Sequence, residues 1–185
     1  MGTATPPFRV EPASAGIDLE RLTFLVNEVY RVAEAGLWHD GPDRPERTDP
    51  AELGRLVAAG EIVVARLVDE VVGCVRVRRV AEDTGELGML VADPRRRGSG
   101  LGGELVRFAE RTCATRGLAT MELELLVPRA GEHPVKRFLA DWYGRLGYRV
   151  TRRRPAADAY PALAPALAVP CDFLTFRRTL RPPAT

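Results

Sequence analysis

Residues Arg95-Arg96-Arg97-Gly98-Ser99-Gly100-Leu101-Gly102-Gly103 set three consecutive cations beside four glycines. They lie between a β-type run, Glu86 to Ala92, and a helical run, Leu101 to Arg116. Glycine reaches positive φ and lets the backbone approach a ligand closely, so successive N–H groups can converge on phosphate oxygens. The helix that follows adds the partial positive charge of its N-terminus. The chemistry to expect is capture of a phosphorylated cofactor.

Three kinds of site use such a turn. A Walker-type loop ends in Gly-Lys-Ser/Thr, and no lysine is present here. A dinucleotide fingerprint is matched literally by Gly98-x-Gly100-x-x-Gly103, with Glu122 or Glu124 about 20 residues further on as the ribose-binding acid. Against it, Asp93-Pro94 and the arginines separate the strand from the glycines, and the preceding strands read as antiparallel.

The third match covers more residues. Leu87 to Gly102 resembles the acyl-CoA-binding motif of the GNAT superfamily of N-acetyltransferases, whose core pattern Arg/Gln-x-x-Gly-x-Gly/Ala is filled by Arg95, Gly98 and Gly100. Trp142-Tyr143-Gly144-Arg145-Leu146-Gly147-Tyr148 is similar to the family's Tyr-x-x-x-Gly-Phe ending, with Tyr148 replacing Phe. The resemblance implies an α+β fold: a mixed, mostly antiparallel twisted sheet with one parallel, splayed strand pair and helices on both faces. It also implies acetyl-CoA as co-substrate, a primary amine on a small molecule or peptide as acceptor, and direct attack in a ternary complex.

Acetyl transfer to an amine sets three demands: a base for the ammonium, a donor for the developing oxyanion, and a proton for the leaving thiolate. By resemblance, a backbone N–H at Leu90 or Val91 is the oxyanion donor, and Tyr143 stands where family members keep a hydroxyl near the sulfur. Glu86 is the candidate base. Glu122 and Glu124, which alternate with Met121, Leu123 and Leu125 and so share a strand face, are substitutes. His39 is a further one, its pKa of about 6.5 suiting a base. The cofactor set is Leu90, Val91, Arg95, Arg96, Arg97, Gly98, Ser99, Gly100, Leu101, Gly102 and Lys136. Lys136 departs from the family, which often has Asn facing pantetheine there. Trp38, Asp40, Asp43 and Glu46 fall in a loop that lines the acceptor pocket in this superfamily. The arginines at 76, 78, 79, 149 and 152–154 read as solvated strand faces.

The elements that must position these groups follow from periodicity. Phe8 to Glu11 reads as a strand. Leu22, Leu25, Val26, Val29 and Ala33 recur at helical spacing after Asp18 as N-cap; a second helix through Leu53, Leu56 and Val57 is capped by Thr48 or Asp49. Glu61 to Val68 and Val71 to Val80 form a hairpin, and Asp83-Thr84-Gly85 turns into the Glu86 strand. Ala119 to Val127 runs parallel to that strand after a right-handed crossover. Val135, Phe138, Leu139, Trp142 and Leu146 stripe a last helix, stopped at Gly147. Tyr148 to Arg153 and Asp172 to Leu180 close the sheet, with Pro155 to Pro170 as a surface excursion.

The 185 residues, 45% hydrophobic and 28% charged, suit one GNAT-type domain over 1–185, with 1–7 and 182–185 as disordered tails. A net charge of +2 makes no case for nucleic acid or membrane as partner; a homodimer is allowed. Cys74, Cys113 and Cys171 have no metal-ligand spacing, so no metal is expected, and reduced thiols point to the cytoplasm. The N-terminus has no signal-peptide pattern, and Pro6 breaks a myristoylation match. The alternatives left open are a non-catalytic acyl-CoA-binding regulatory module, or an acyltransferase with a hydroxyl or peptide acceptor.

Overall fold

Two aspartates start the first pair of helices. Asp18 accepts the Arg21 N–H at 3.0 Å and opens α1 (Leu19–Ala33); Asp49 accepts the Glu52 N–H at 2.7 Å and opens α2 (Pro50–Ala58), with Pro50 in the first turn. Thr48 is therefore not the cap. The computed structural model describes residues 8–42 and 44–180. The expected tails at 1–7 and 182–185 lie outside the described residues, as does Asp43.

The strands are β1 (Arg9–Pro12), β2 (Ile62–Leu67), β3 (Glu70–Arg79), β4 (Thr84–Ala92), β5 (Thr120–Pro128), β6 (Arg149–Pro155) and β7 (Cys171–Thr179). They form one sheet in the order β1-β2-β3-β4-β5-β7-β6, in which only β4 and β5 are parallel. Helix α3 (Leu101–Thr115) is the crossover between those two, and α4 (Pro134–Arg145) leads from β5 to β6. This is the mixed, mostly antiparallel α+β sheet expected from the sequence.

Each face of the sheet has its own apolar cluster. Leu101, Leu105, Ala109 and Cys113 of α3 bury against Val75, Val77, Leu87, Met121 and Leu123, and Tyr143 of α4 joins them. On the other face Leu22, Val26 and Leu53 meet Ile62, Val64, Cys74, Met89 and Val91. The side on which β4 residues appear reveals a fault in its alternation. Leu87 faces α3, but so do Leu90 and Ala92, while Met89 and Val91 face α1.

A β-bulge causes this switch. Val91 lies across from Cys74 and Gly88 across from Arg76, so three steps along β4 match two along β3. Met89 takes the extra step with φ of +48°. The backbones crowd beside it: a Cβ on Gly73 would stand 2.7 Å from the Val91 carbonyl oxygen, which explains a glycine inside β3. Pairing of β4 with β5 covers only Thr84–Glu86 against Thr120–Glu122, and beyond it the two strands splay.

The expected surface excursion at 155–170 is instead ordered and strapped down. It forms α5 (Ala156–Ala159) and a 3-10 segment (Pro161–Ala166). Ala156 and Leu167 pack with Leu37, Trp38, Leu126 and Cys171. The His39 N–H donates to the Ala166 carbonyl and the Ala168 N–H to that of Leu37, both at 2.9 Å. Apolar side chains among the prolines give this segment a surface to bury.

One buried ion pair ties α1 to α4. Lys136 Nζ lies 2.7 Å from Glu34 Oε1, with side-chain exposures of 5% and 12%. Trp38 Nε1 donates to the other carboxylate oxygen at 2.8 Å. Lys136→Met strands that carboxylate and is expected to lower stability by about 3–5 kcal/mol in urea denaturation. Glu34→Gln in the same chain keeps an acceptor for Trp38, and the double variant should recover most of the loss.

Candidate active site

The slot between β4 and β5 is lined by backbone whose hydrogen bonds are not all consumed. The Asp93 N–H donates to the Val72 carbonyl at 2.8 Å, and Val91 lies directly across from Cys74. Every second amide of an antiparallel strand faces the same neighbour, so the Val91 amide faces β3 and that of Leu90 faces the slot. Of the two residues expected to offer a donor, the geometry favours Leu90.

At the end of β4 the chain makes a 3-10 turn, Pro94–Arg96, before the glycines. Asp93, buried, accepts the Arg95 N–H at 2.9 Å and the guanidinium through Nε at 3.0 Å and Nη2 at 2.7 Å. These bonds to Arg95 hold its carboxyl below the usual range. Arg95 is thus turned back onto the strand end, with Glu70 beside it at 3.4 Å. The pattern that fits the geometry is shifted by two residues. Arg97-x-x-Gly100-x-Gly102 also satisfies Arg-x-x-Gly-x-Gly, and it puts its first glycine at the N-cap of α3.

Gly98 and Gly100 have φ of +82° and +84°, conformations that an L side chain rarely adopts. Gly100 supplies no side-chain cap to α3, so the first-turn amides of Leu101, Gly102 and Gly103 are left to a ligand or solvent. Ser99, Arg96 and Arg97 flank them, and Arg96 Nε is buried with no partner among the described residues. A Cβ on Gly102 would come within 3.4 Å of the Trp142 ring, so α4 packs directly on this first turn.

Next to Trp142, the buried Tyr143 ring lies 5.0 Å from that of Trp142, 5.8 Å from Phe176 and 6.1 Å from Tyr148. Burial pushes its pKa upward, as does the nearby Tyr30 phenol of α1, so the hydroxyl keeps its proton. Tyr148 differs: its hydroxyl donates to Glu110 at 2.9 Å, and Arg178 holds the same carboxylate at 2.7 Å. Lys136 faces Glu34 as described above, so its ammonium is paired within the protein.

The three candidate carboxylates share the face that carries α1, and each has a partner. Glu86 is gripped by Arg78 at 2.8 and 3.1 Å, and Glu122 by Arg177 at 2.7 Å. Among the described residues no arginine pairs with Glu124; it accepts the Tyr160 hydroxyl at 2.6 Å. Burial, then that bond, pushes the Tyr160 pKa up to about 12. In the parallel register Glu86 stands beside Glu122, so Glu124 is level with Gly88, where the strands have begun to splay. Among the described residues His39 has no side-chain hydrogen bond to any of these groups. It is exposed and lines a cavity of about 250 Å³ with Asp40, Pro42, Arg44 and Pro165.

Of the loop residues, Glu46 is taken by Arg31 at 2.6 Å and Trp38 by Glu34. The strand arginines expected on solvated faces are in part cross-strand partners: Arg76 pairs with Glu61, Arg78 with Glu86 and Arg153 with Asp172. The Cys74 thiol is pushed up to about 12 by burial, and burial raises Cys113 and Cys171 as well, so none is a ready nucleophile. Among the described residues no group of three or more His, Cys, Asp or Glu is placed to hold a metal ion.

Solved structures share this architecture. PaiA N-acetyltransferase from Thermoplasma acidophilum in complex with coenzyme A superposes with a TM-score of 0.69 at 16% identity, over 93% of this chain and 98% of that one. An aminoglycoside 6'-N-acetyltransferase complexed with coenzyme A gives 0.67 at 18% identity, over 96% and 99%. A GNAT family acetyltransferase from Elizabethkingia anophelis with acetyl-CoA bound gives 0.65 at 15% identity, over 95% and 100%. Comparison with curated protein sequences finds no match. The family model described as "Acetyltransferase (GNAT) family" matches residues 23–140, from within α1 through the glycine turn and into α4. The bulged strand, the uncapped α3 and the match over more than half the chain agree: this protein belongs to the GNAT family of acetyltransferases.

Proposed function

We propose that this chain is an N-acetyltransferase that moves an acetyl group from acetyl-CoA to a primary amine by direct attack in a ternary complex. The observation that carries the proposal is the Met89 bulge, which leaves the Leu90 amide facing a slot whose far end is the uncapped N-terminus of α3. Acetyl-CoA, as co-substrate, supplies the activated thioester. The amides of Leu101, Gly102 and Gly103, with Gly98, Ser99 and Gly100, suit its pyrophosphate, and Arg96 and Arg97 add charge. Leu90 N–H would hold the thioester oxygen as it gains charge.

Glu124 is the best-placed base. It lies where the strands splay and its hydrogen-bond partner is the Tyr160 hydroxyl, whereas Arg78 occupies Glu86 and Arg177 occupies Glu122. Tyr143, neutral and buried, would protonate the departing thiolate. The unreactive thiols favour direct transfer over a covalent acyl-enzyme. We take residues 1–185 as one catalytic domain working in the cytoplasm, a compartment that the three free cysteines suit. One observation favours a non-catalytic acyl-CoA-binding module instead: the Glu86 carboxylate is locked on Arg78. Turnover on any amine separates the two.

Three outcomes are expected. Gly100→Val should weaken CoA binding in calorimetry far more than Arg95→Ala, because it disturbs a positive-φ backbone while Arg95 is already folded back on Asp93. Tyr143→Phe should lower kcat by about 10²- to 10⁴-fold with little change in CoA affinity; full turnover with chemistry rate-limiting would return Tyr143 to a packing role. Glu124→Gln should depress kcat/KM more than Glu86→Gln, and the reverse order would restore Glu86 as base.

A further inference from the structure

The loop between α1 and α2 ends in a clamp. Asn27 accepts the Thr48 N–H at 3.1 Å and donates to the Thr48 carbonyl at 3.0 Å. Asn27 and Tyr30 stand three residues apart on α1 and so lie on one side of it. The clamp therefore sets Arg47, the neighbour of Thr48, over Tyr30, with Cζ 5.2 Å from the ring centroid. This guanidinium is partly withdrawn from solvent.

The acids around Arg47 are engaged elsewhere. Glu52 accepts the Thr48 hydroxyl at 2.8 Å, Glu34 holds Lys136 and Trp38, and Glu46 holds Arg31. Among the described residues no carboxylate lies within ion-pair distance of Arg47, although Arg31, Arg78 and Arg177 each have one. A cation drawn from water and stacked on an aromatic, with no anion of its own among the described residues, is a group suited to bind a ligand.

Its position says which ligand. Tyr30 packs on the cluster of Cys74, Met89 and Val91, and Cys74 Sγ lies 3.8 Å from the Met89 carbonyl. Arg47 thus stands beside the bulge, on the face opposite the one that carries α3. Electrostatics agree, since the Tyr30 phenol acts on Tyr143 and the Arg47 charge on Cys74. Glu124, on the same face of the sheet, has only a phenol as partner. Among the described residues, an acceptor entering there meets one carboxylate with no cation partner, Glu124, and at Tyr30 the Arg47 guanidinium with no carboxylate partner. Arg152 and Arg154 of β6, on the same face, also have no carboxylate partner among them, Arg152 donating instead to the Thr175 hydroxyl.

We infer that Arg47 binds a carboxylate on the acceptor, so the acceptor is an amine that also carries a carboxylate, of the amino-acid class. One planar fork with a single charge matches a carboxylate. A phosphate dianion would call for further cations, but Arg31 is turned to Glu28 and Glu46, and Arg44 to the Arg31 carbonyl. This assignment rests on the acetyltransferase proposal and names its substrate class.

The test uses reaction products, so it does not depend on turnover. N-acetylglycine, N-acetylalanine and N-acetylphenylalanine, and the C-terminal amide of each, are titrated calorimetrically into the full-length protein saturated with CoA. The acids should bind about 10- to 100-fold more tightly than their amides, the range for losing a hydrogen bond to a charged group. In Arg47→Gln, checked for an unchanged melting temperature, the acid-to-amide ratio should fall to near one. Equal affinity of the wild type for acids and amides, binding of neither series, or a ratio that survives in Arg47→Gln would overturn the inference. Selective acid binding through Arg47 in a protein that acetylates no amine would uphold the site and remove the transferase proposal.

Discussion

The extra residue in β4 is the constraint on which the rest of the structure depends. A regular strand would keep its side chains alternating and pair with β5 along its whole length, closing the slot between the two strands. Met89 at φ +48° breaks both habits at once. It turns Leu90 toward α3 and Val91 toward α1, so each apolar cluster still receives a side chain, and it leaves an amide pointing into open space. The cost of an unfavourable φ in a residue with a side chain is of order 1–3 kcal/mol and is offset by burial of Met89 and Val91. Gly73 completes the device, because no larger residue fits against the Val91 carbonyl.

Charge on the central strands of the face opposite α3 follows a single rule with few exceptions. An arginine-rich chain could have presented a strongly positive floor, but Arg76, Arg78 and Arg177 are paired with Glu61, Glu86 and Glu122, while Arg149, Arg152 and Arg154 of β6 have no carboxylate partner among the described residues. Such pairs, partly exposed, add little stability. Their effect is to neutralise the central strands of that face, and the groups outside the rule there include Glu124 with its phenol partner and Arg47 on Tyr30.

Signals confined to neighbouring residues could be read from the sequence. The glycine turn, the caps at Asp18 and Asp49, the Asp69 hairpin, the single parallel crossover and the Gly147 stop all rest on local backbone preference, and each stands where periodicity put it. The long-range partnerships could not be read. Lys136 and Glu34 meet across 102 residues, and the Asn27 clamp that sets Arg47 across 21. Arg47 itself sat in a polar loop with nothing local to distinguish it from a solvated side chain. The Arg-x-x-Gly-x-Gly pattern is satisfied twice within eight residues, and only the cap position of Gly100 separates the registers. The 155–170 segment read as free surface because alternating Pro and Ala conceal the apolar contacts of Ala156 and Leu167.

The central claim is that the bulge reserves the Leu90 amide for the thioester oxygen. Amide proton shifts of Leu90 and Val91, measured by NMR with CoA and with acetyl-CoA, test it most directly. A downfield shift of Leu90 that appears with acetyl-CoA but not with CoA, while Val91 stays bonded to β3 and moves little, is the predicted result. A Leu90 amide that is indifferent to the acetyl group, or a Val91 amide that responds in its place, would contradict it.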